Sequence, residues 1–243
     1  MRALLPLASG LLLMLLSGCQ SDVYFHDDFD SQFPNQLPAF DPPGDPVGDT
    51  LYSSAGSPGV PGQLVVVEDA TLGSRALRYA NVPSAVNLRY LGFQSAPVAL
   101  TDSTTYWAIW KGVIDLDPGG SDLRIWVGDS HFGAGGVIVI DGDGTLRLQT
   151  STGTSPTYEV LGSVVEGVEH TVIWTFNRVS ETHAVSIFQP GGVLQSGARP
   201  VLDPSVLSTT RPMLYFWYSQ GATGTGDYVA DDIEILVKEP ATP

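Results

Sequence analysis

Three groups of residues in this sequence have the types and spacing that chemistry needs. Asp27, Asp28 and Asp30 stand near the start and Asp231 and Asp232 near the end. If the segments carrying them become neighbouring strands, these carboxylates converge and favour a bound cation. Calcium, which takes six to eight hard oxygen ligands, is the ion that fits. The second group is aromatic: Trp107, Trp126, Tyr215 and Trp217, with Lys111 and Arg124 nearby. Sugar rings present apolar C–H faces that stack on such rings, while flanking polar groups take hydroxyls or uronate carboxylates. The third is Asp141-Gly-Asp-Gly144, which opens like a calcium loop but lacks its third acidic position and distal bidentate Glu. It reads as a hairpin turn. His131, His170 and His183 are scattered, and no zinc-type His cluster, phosphate loop or nucleophile elbow accompanies them. They read as structural, so no catalytic residue is assigned.

The only cysteine, Cys19, has a context of its own. Arg2 forms a short positive n-region, Leu11 to Leu16 an apolar centre, and Ser17 and Gly18 a small-residue close. That is the layout of a secretory signal, and the apolar run is shorter than the roughly 20 residues a membrane span requires. Leu16-Ser17-Gly18-Cys19 resembles the lipobox of bacterial lipoproteins. The resemblance implies a diacylglycerol on the Cys19 sulfur, cleavage before Cys19, acylation of the new amino group and attachment to the membrane through this N-terminal lipid. Several acyl chains, at roughly 0.8 kcal/mol per buried methylene, make such an anchor stable. Gln20 stands where an aspartate would resemble an inner-membrane retention signal, so the outer membrane is the expected destination.

Residues 1–18 therefore read as signal, 19–22 as lipidated cysteine and linker, 23–238 as one domain and 239–243 as a tail. With no second cysteine there is no disulfide, and the core must hold the domain together alone. A chain of this length buries about 70 per cent of its unfolded surface, which suffices. The net charge of −15 excludes nucleic acid as a partner, because phosphate binding relies on clustered Lys and Arg.

Residues 31–62 are rich in Pro, Gly, Asp and Ser and read as an extended, irregular wrap after an N-terminal strand at 23–29. Short β-branched and aromatic runs follow at 63–68, 76–80, 85–90, 105–115, 123–127, 136–140, 145–149, 157–161, 170–177, 183–189, 213–219 and 228–237. None has a sustained 3.6-residue apolar period. Alternation places Leu123, Ile125 and Val127 on one face and Arg124 and Trp126 on the other. In 105–115, Trp107, Ile109 and Val113 share a face with Lys111, opposite Tyr106, Ala108, Trp110 and Ile114. A dozen strands at this spacing predict an all-β, two-sheet antiparallel sandwich. Trp174 and Phe176 are assigned to its core.

Four pieces carry a family resemblance: Phe25-His-Asp-Asp-Phe-Asp30, Gly73-Ser-Arg-Ala-Leu-Arg-Tyr79, Asp122-Leu-Arg-Ile-Trp-Val-Gly128 with the hairpin after it, and Tyr228-Val-Ala-Asp-Asp-Ile-Glu-Ile235. Their order is similar to the concanavalin A-like lectin/glucanase jelly roll, laminin-G-like modules included. The resemblance implies that first and last strands lie side by side, often with a structural calcium. Glycosidases of that fold carry a Glu-x-Asp-x-Glu strand, and its lyases neighbouring Arg, Gln-x-His and Tyr motifs, neither of which occurs here. The expected function is non-catalytic binding of a glycan or surface polymer. A divergent polysaccharide lyase or glycoside hydrolase is the first alternative, and a structural or adhesion component of an envelope assembly the second.

Overall fold

The computed structural model describes residues 23–36, 49–53, 64–81, 88–94, 104–116, 122–128, 133–208, 213–218 and 226–237, with the backbone alone at 23, 49–53 and 88–94. The signal, Cys19, His131 and the tail lie outside the described residues. The strands are β1 (Val23–Asp27), β2 (Asp49–Ser53), β3 (Leu64–Asp69), β4 (Ser74–Ala80), β5 (Leu88–Gln94), β6 (Thr105–Asp115), β7 (Leu123–Gly128) and β8 (Ala134–Ile140). The second half adds β9 (Thr145–Gln149), β10 (Tyr158–Ser163), β11 (His170–Asn177), β12 (Thr182–Gln189), β13 (Gly192–Gln195), β14 (Arg199–Pro200), β15 (Met213–Tyr218) and β16 (Asp227–Leu236). A 3-10 turn at Pro204–Ser208 is the helical element among the described residues.

Two antiparallel sheets result. One runs β13-β12-β11-β6-β16-β4-β3, with β1 beside β16 and β14 beside β12; the other runs β10-β9-β8-β7-β15-β5-β2. This is the two-sheet antiparallel sandwich that strand number and spacing predict and the jelly roll that the resemblance implies, and β6, β9 and β11 have the predicted bounds. β2 corrects the reading of 31–62 as irregular throughout: it pairs with β5 at the edge of the second sheet. An edge strand needs only one partner, so a Pro- and Gly-rich neighbourhood does not forbid it. Asn35 and Gln36 also exchange backbone hydrogen bonds with Val66. Asp141–Gly144 is the hairpin turn expected, with Gly144 at φ +85° and its N–H donating to the Asp141 carbonyl.

One face of each sheet fills the core. Tyr106, Ala108, Trp110 and Ile114 of β6 meet Leu123, Ile125 and Val127 of β7, with Trp174 and Phe176 fully buried among them. Two histidines are buried in this core. His170 Nε2 lies 3.0 Å from the Tyr228 hydroxyl, which accepts the Trp110 indole N–H at 2.7 Å. His183 Nδ1 accepts the Trp174 indole N–H at 3.0 Å. Burial pushes both imidazoles down to about 4.

β16 is the seam of the first sheet. Its first half, Asp227 to Ala230, pairs with β4, and its second half, Ile233 to Leu236, pairs with β1. Between them the register slips and Asp232 takes φ +47°. First and last strands thus lie side by side, as the resemblance implies.

Candidate functional site

The five acidic residues of the proposed cation site cluster around this seam, but they are spent on one another's backbones and on local donors. Asp27 is buried, and its carboxylate accepts the Phe29 N–H at 2.8 Å and the Gln32 amide at 2.7 Å. That fixes a turn in which Phe29, itself buried, takes φ +55°. Asp28 accepts the Asp30 N–H, and Asp30 in turn accepts the Arg75 N–H. Asp231 is buried, takes the Ser74 hydroxyl at 2.5 Å and is pushed by burial up to about 6. Asp232 is held down at about 2 by His26 and Lys111, with Lys111 Nζ at 2.5 Å the close partner and His26 Nε2 at 3.9 Å. Among the described residues, no group of three or more His, Cys, Asp or Glu is arranged to hold a metal ion. Asp27→Ala should therefore cost about 2–3 kcal/mol, the penalty for stranding two buried donors. Urea unfolding at neutral pH measures it.

The aromatic group is divided between the sheets. Trp107 and Lys111 lie on the outer face of the first sheet, because β6 turns Tyr106, Ala108 and Trp110 to the core. Arg124 and Trp126 of β7 and Tyr215 and Trp217 of β15 share the outer face of the second sheet, where the cross-strand register sets Trp126 beside Tyr215 and Arg124 beside Trp217. The groove expected from all six residues is therefore corrected to four of them. Alternation told outer face from inner correctly but carried nothing about which sheet each strand joins.

On this face the rings pair across strands. Trp126 and Tyr215 stack with centroids 4.7 Å apart and planes 2° from parallel. The Arg124 guanidinium lies 4.7 Å over the Trp217 ring, and that of Arg147 lies 4.8 Å over Tyr158. Tyr215 is fully buried beneath its neighbours, so it supports Trp126 and presents no face of its own; Trp126 and Trp217 remain partly accessible. Arg147 is held by Asp122, at 3.5 Å, and by Asp141.

The same face opens into a cleft of about 440 Å³. Val137, which sits opposite Trp126, and Gln149 contribute from β8 and β9, Thr152 from the loop after β9, and Leu202, Asp203 and Pro204 from the segment entering the 3-10 turn. That segment is pinned by the Leu202 N–H donating to the Gly135 carbonyl and by Asp203 accepting the Ser205 N–H and hydroxyl. An apolar floor with an amide, a hydroxyl and a carboxylate at its margin and an indole on the neighbouring strand suits a ligand with both C–H faces and hydroxyls. Sequence reasoning missed Gln149, Thr152 and Asp203. The alternation of β9 put Gln149 on the outer face, but nothing local showed that residues 201–204 fold over the same sheet.

These features define an all-β, two-sheet antiparallel sandwich with a partly aromatic outer sheet face. Solved structures share the architecture. A sialidase superposes with a TM-score of 0.59 at 12% identity, over 88% of this chain and 18% of the sialidase. The catalytic domain of the glycoside hydrolase family 131 protein from Coprinopsis cinerea superposes with a TM-score of 0.59 at 11% identity, over 90% of this chain and 96% of that domain. The binding domain of botulinum neurotoxin DC in complex with SialylT gives 0.52 at 8% identity, over 91% of this chain and 49% of the other. At these identities the fold is what is shared. No protein-family model matches the chain, and no curated protein matches it.

Proposed function

We propose that this chain is an exported, lipid-anchored envelope protein that binds a glycan or surface polymer across the outer face of its second sheet, without transforming it. The observation that carries the reading is the stacked Trp126–Tyr215 pair on the same sheet face as a cleft edged by Gln149, Thr152 and Asp203, whose lining includes Val137, the cross-strand neighbour of Trp126. The carboxylates on this face are already engaged, although burial and the adjacent Asp141 raise the pKa of Asp122. Asp203 is engaged by Ser205, and Asp122 and Asp141 both turn onto Arg147. Glycoside hydrolysis uses two carboxyl groups flanking the scissile bond, one of them free to give a proton. The shared fold supports glycan binding because sandwiches of this kind include a toxin binding domain solved with SialylT and a glycoside hydrolase catalytic domain.

Polysaccharide pull-down and glycan-array binding of the purified chain, with and without calcium, test the reading and the cation expected at the seam. Trp126→Ala should weaken binding roughly 5- to 150-fold, taking for a sugar face the about 1–3 kcal/mol that stacking on an aromatic gives a nucleic-acid base. Trp107→Ala, on the other sheet, should leave it unchanged. Release of depolymerised product would make the chain an enzyme, and binding to no glycan would make the envelope-assembly role the leading account. The anchor is tested separately by the mass of the N-terminal peptide, which should carry acyl groups on Cys19 and lose them in Cys19→Ala.

A further inference from the structure

The two guanidinium groups on this face are not equivalent. Arg124 and Arg147 belong to one cross-strand row, Trp217–Arg124–Val139–Arg147–Val160. Val139 between them is fully buried. Arg147 has its charge met by Asp122 and Asp141. No ion pair within 4 Å holds Arg124 among the described residues, although the Asp122 carboxylate acts on it from farther off. Its guanidinium carbon lies 4.7 Å from the Trp217 ring centroid, and its Nε, like that of Arg147, is buried without a hydrogen-bond partner. Trp126 Nε1, two residues along the same face of the strand, is likewise without an acceptor. In a chain with 26 acidic and 11 basic residues, a guanidinium set over an aromatic ring, with no carboxylate in direct contact among the described residues, calls for a reason. A guanidinium over an indole is restrained on one side, and with Nε buried its terminal Nη groups are the ones left for a ligand. That arrangement takes a carboxylate through two parallel hydrogen bonds, and a lysine ammonium does not reproduce it.

We propose that Arg124, seated on Trp217, is the subsite for a carboxylate of the bound glycan, which makes the ligand a sugar-acid polymer such as a polyuronate. This rests on the glycan-binding reading and narrows it. Successive outward positions along a strand lie roughly 7 Å apart, so the subsite is about one sugar ring away from Trp126. The overall charge of −15 adds an unusual signature. The body of the protein repels a polyanion at long range, and salt screens that repulsion over about 8–10 Å while sparing the close Arg124 contact. Added salt should strengthen association or leave it unchanged, the reverse of a basic polyanion-binding surface.

The test uses the full chain with polygalacturonate and hyaluronan, each compared with its carboxyl-reduced form, at low and moderate salt. The acidic forms should bind at least about tenfold more tightly than the reduced ones, as expected for a charge-assisted pair. Arg124→Gln should remove the difference, and Arg124→Lys should not restore it. Circular dichroism of each variant confirms the fold. Equal binding of acidic and reduced forms by the wild-type chain, or equal loss of both in Arg124→Gln, overturns the carboxylate subsite and leaves glycan binding standing. Binding to neither, and to no other polysaccharide, takes down both.

Discussion

Gly112→Ala is expected to destabilise the domain by about 3–5 kcal/mol, combining overpacking with the loss of buried hydrogen bonds. A methyl group there would meet the Tyr228 hydroxyl, with Tyr228 Cζ and His170 Nε2 each only 2.7 Å away. None of the three can withdraw cheaply. Tyr228 and His170 are buried and hydrogen-bonded to one another and, through the tyrosine, to Trp110. The backbone is equally confined, because β6 is a central strand between β11 and β16. Gly197→Ala is the control, where the nearest atom is Arg199 Nη1 at 3.8 Å, and it should change stability by less than about 0.5 kcal/mol. Urea unfolding of both variants makes the comparison. Tyr228→Phe in the Gly112→Ala background should recover part of the loss, since it removes the atom the methyl meets first, and that non-additivity identifies the clash as the cause. A Gly112→Ala protein as stable as wild type would mean that the core is looser than its packing indicates.

The second large effect is a loss of stability on mild acidification. His170 and His183 are neutral in the folded protein, with pKa values pushed down to about 4 by burial. In the unfolded chain they titrate near 6.5, so below that pH the unfolded state binds more protons. Stability from these two residues is fully present above 6.5 and is lost as the pH falls toward 4, by up to roughly 3 kcal/mol each. Asp231 works in the opposite sense. Its folded value near 6 lies above the ordinary carboxylate range, so its contribution favours the folded state at low pH and fades as the pH rises through 6. The pKa values of His26, Asp115, Asp122, Asp227 and Glu234 are also raised, so these groups act with Asp231, while the lowered Asp232 acts with the histidines. Acid destabilisation is still the expected net effect, because the two histidine shifts are the largest downward ones and span the pH range tested. Urea midpoints at pH 7, 5.5 and 4.5 should fall in that order, and His170→Gln should flatten the slope even if its stability at pH 7 is reduced. A flat profile in the wild-type chain would show that the imidazoles are hydrated.

Most of the strand pattern was legible because it is written in alternation. His170–Asn177 alternates buried and half-buried residues throughout, and Thr105–Asp115 does so up to Gly112, beyond which Val113 is buried in a small cluster on the opposite face, so their bounds and faces could both be read. The pairing of first and last strands came from resemblance, not from any local signal. β2, β13 and β14 were missed because each lies at a sheet margin, where few residues need to be apolar. The site was half legible. Trp126, Tyr215, Trp217 and Arg124 are close because β7 and β15 pair across some 90 residues of sequence, and their outward alternation could be seen in each strand alone. The exclusion of Trp107 and Lys111, and the recruitment of Asp203, depend on sheet membership and on one loop's path, which are long-range properties of the whole chain.

The pairing of β1 with β16 also sets when this domain is able to form. Asp27 is matched with Ile233, and β4 and β6 are likewise matched with β16, so three elements of the first sheet wait for the last strand to be made. Closing loops of that length before any contact rewards them makes for slow, late acquisition of structure. Local hairpins such as β3–β4, β8–β9 and β11–β12 can pair early, but the first sheet becomes continuous only once residues 227–236 are in place.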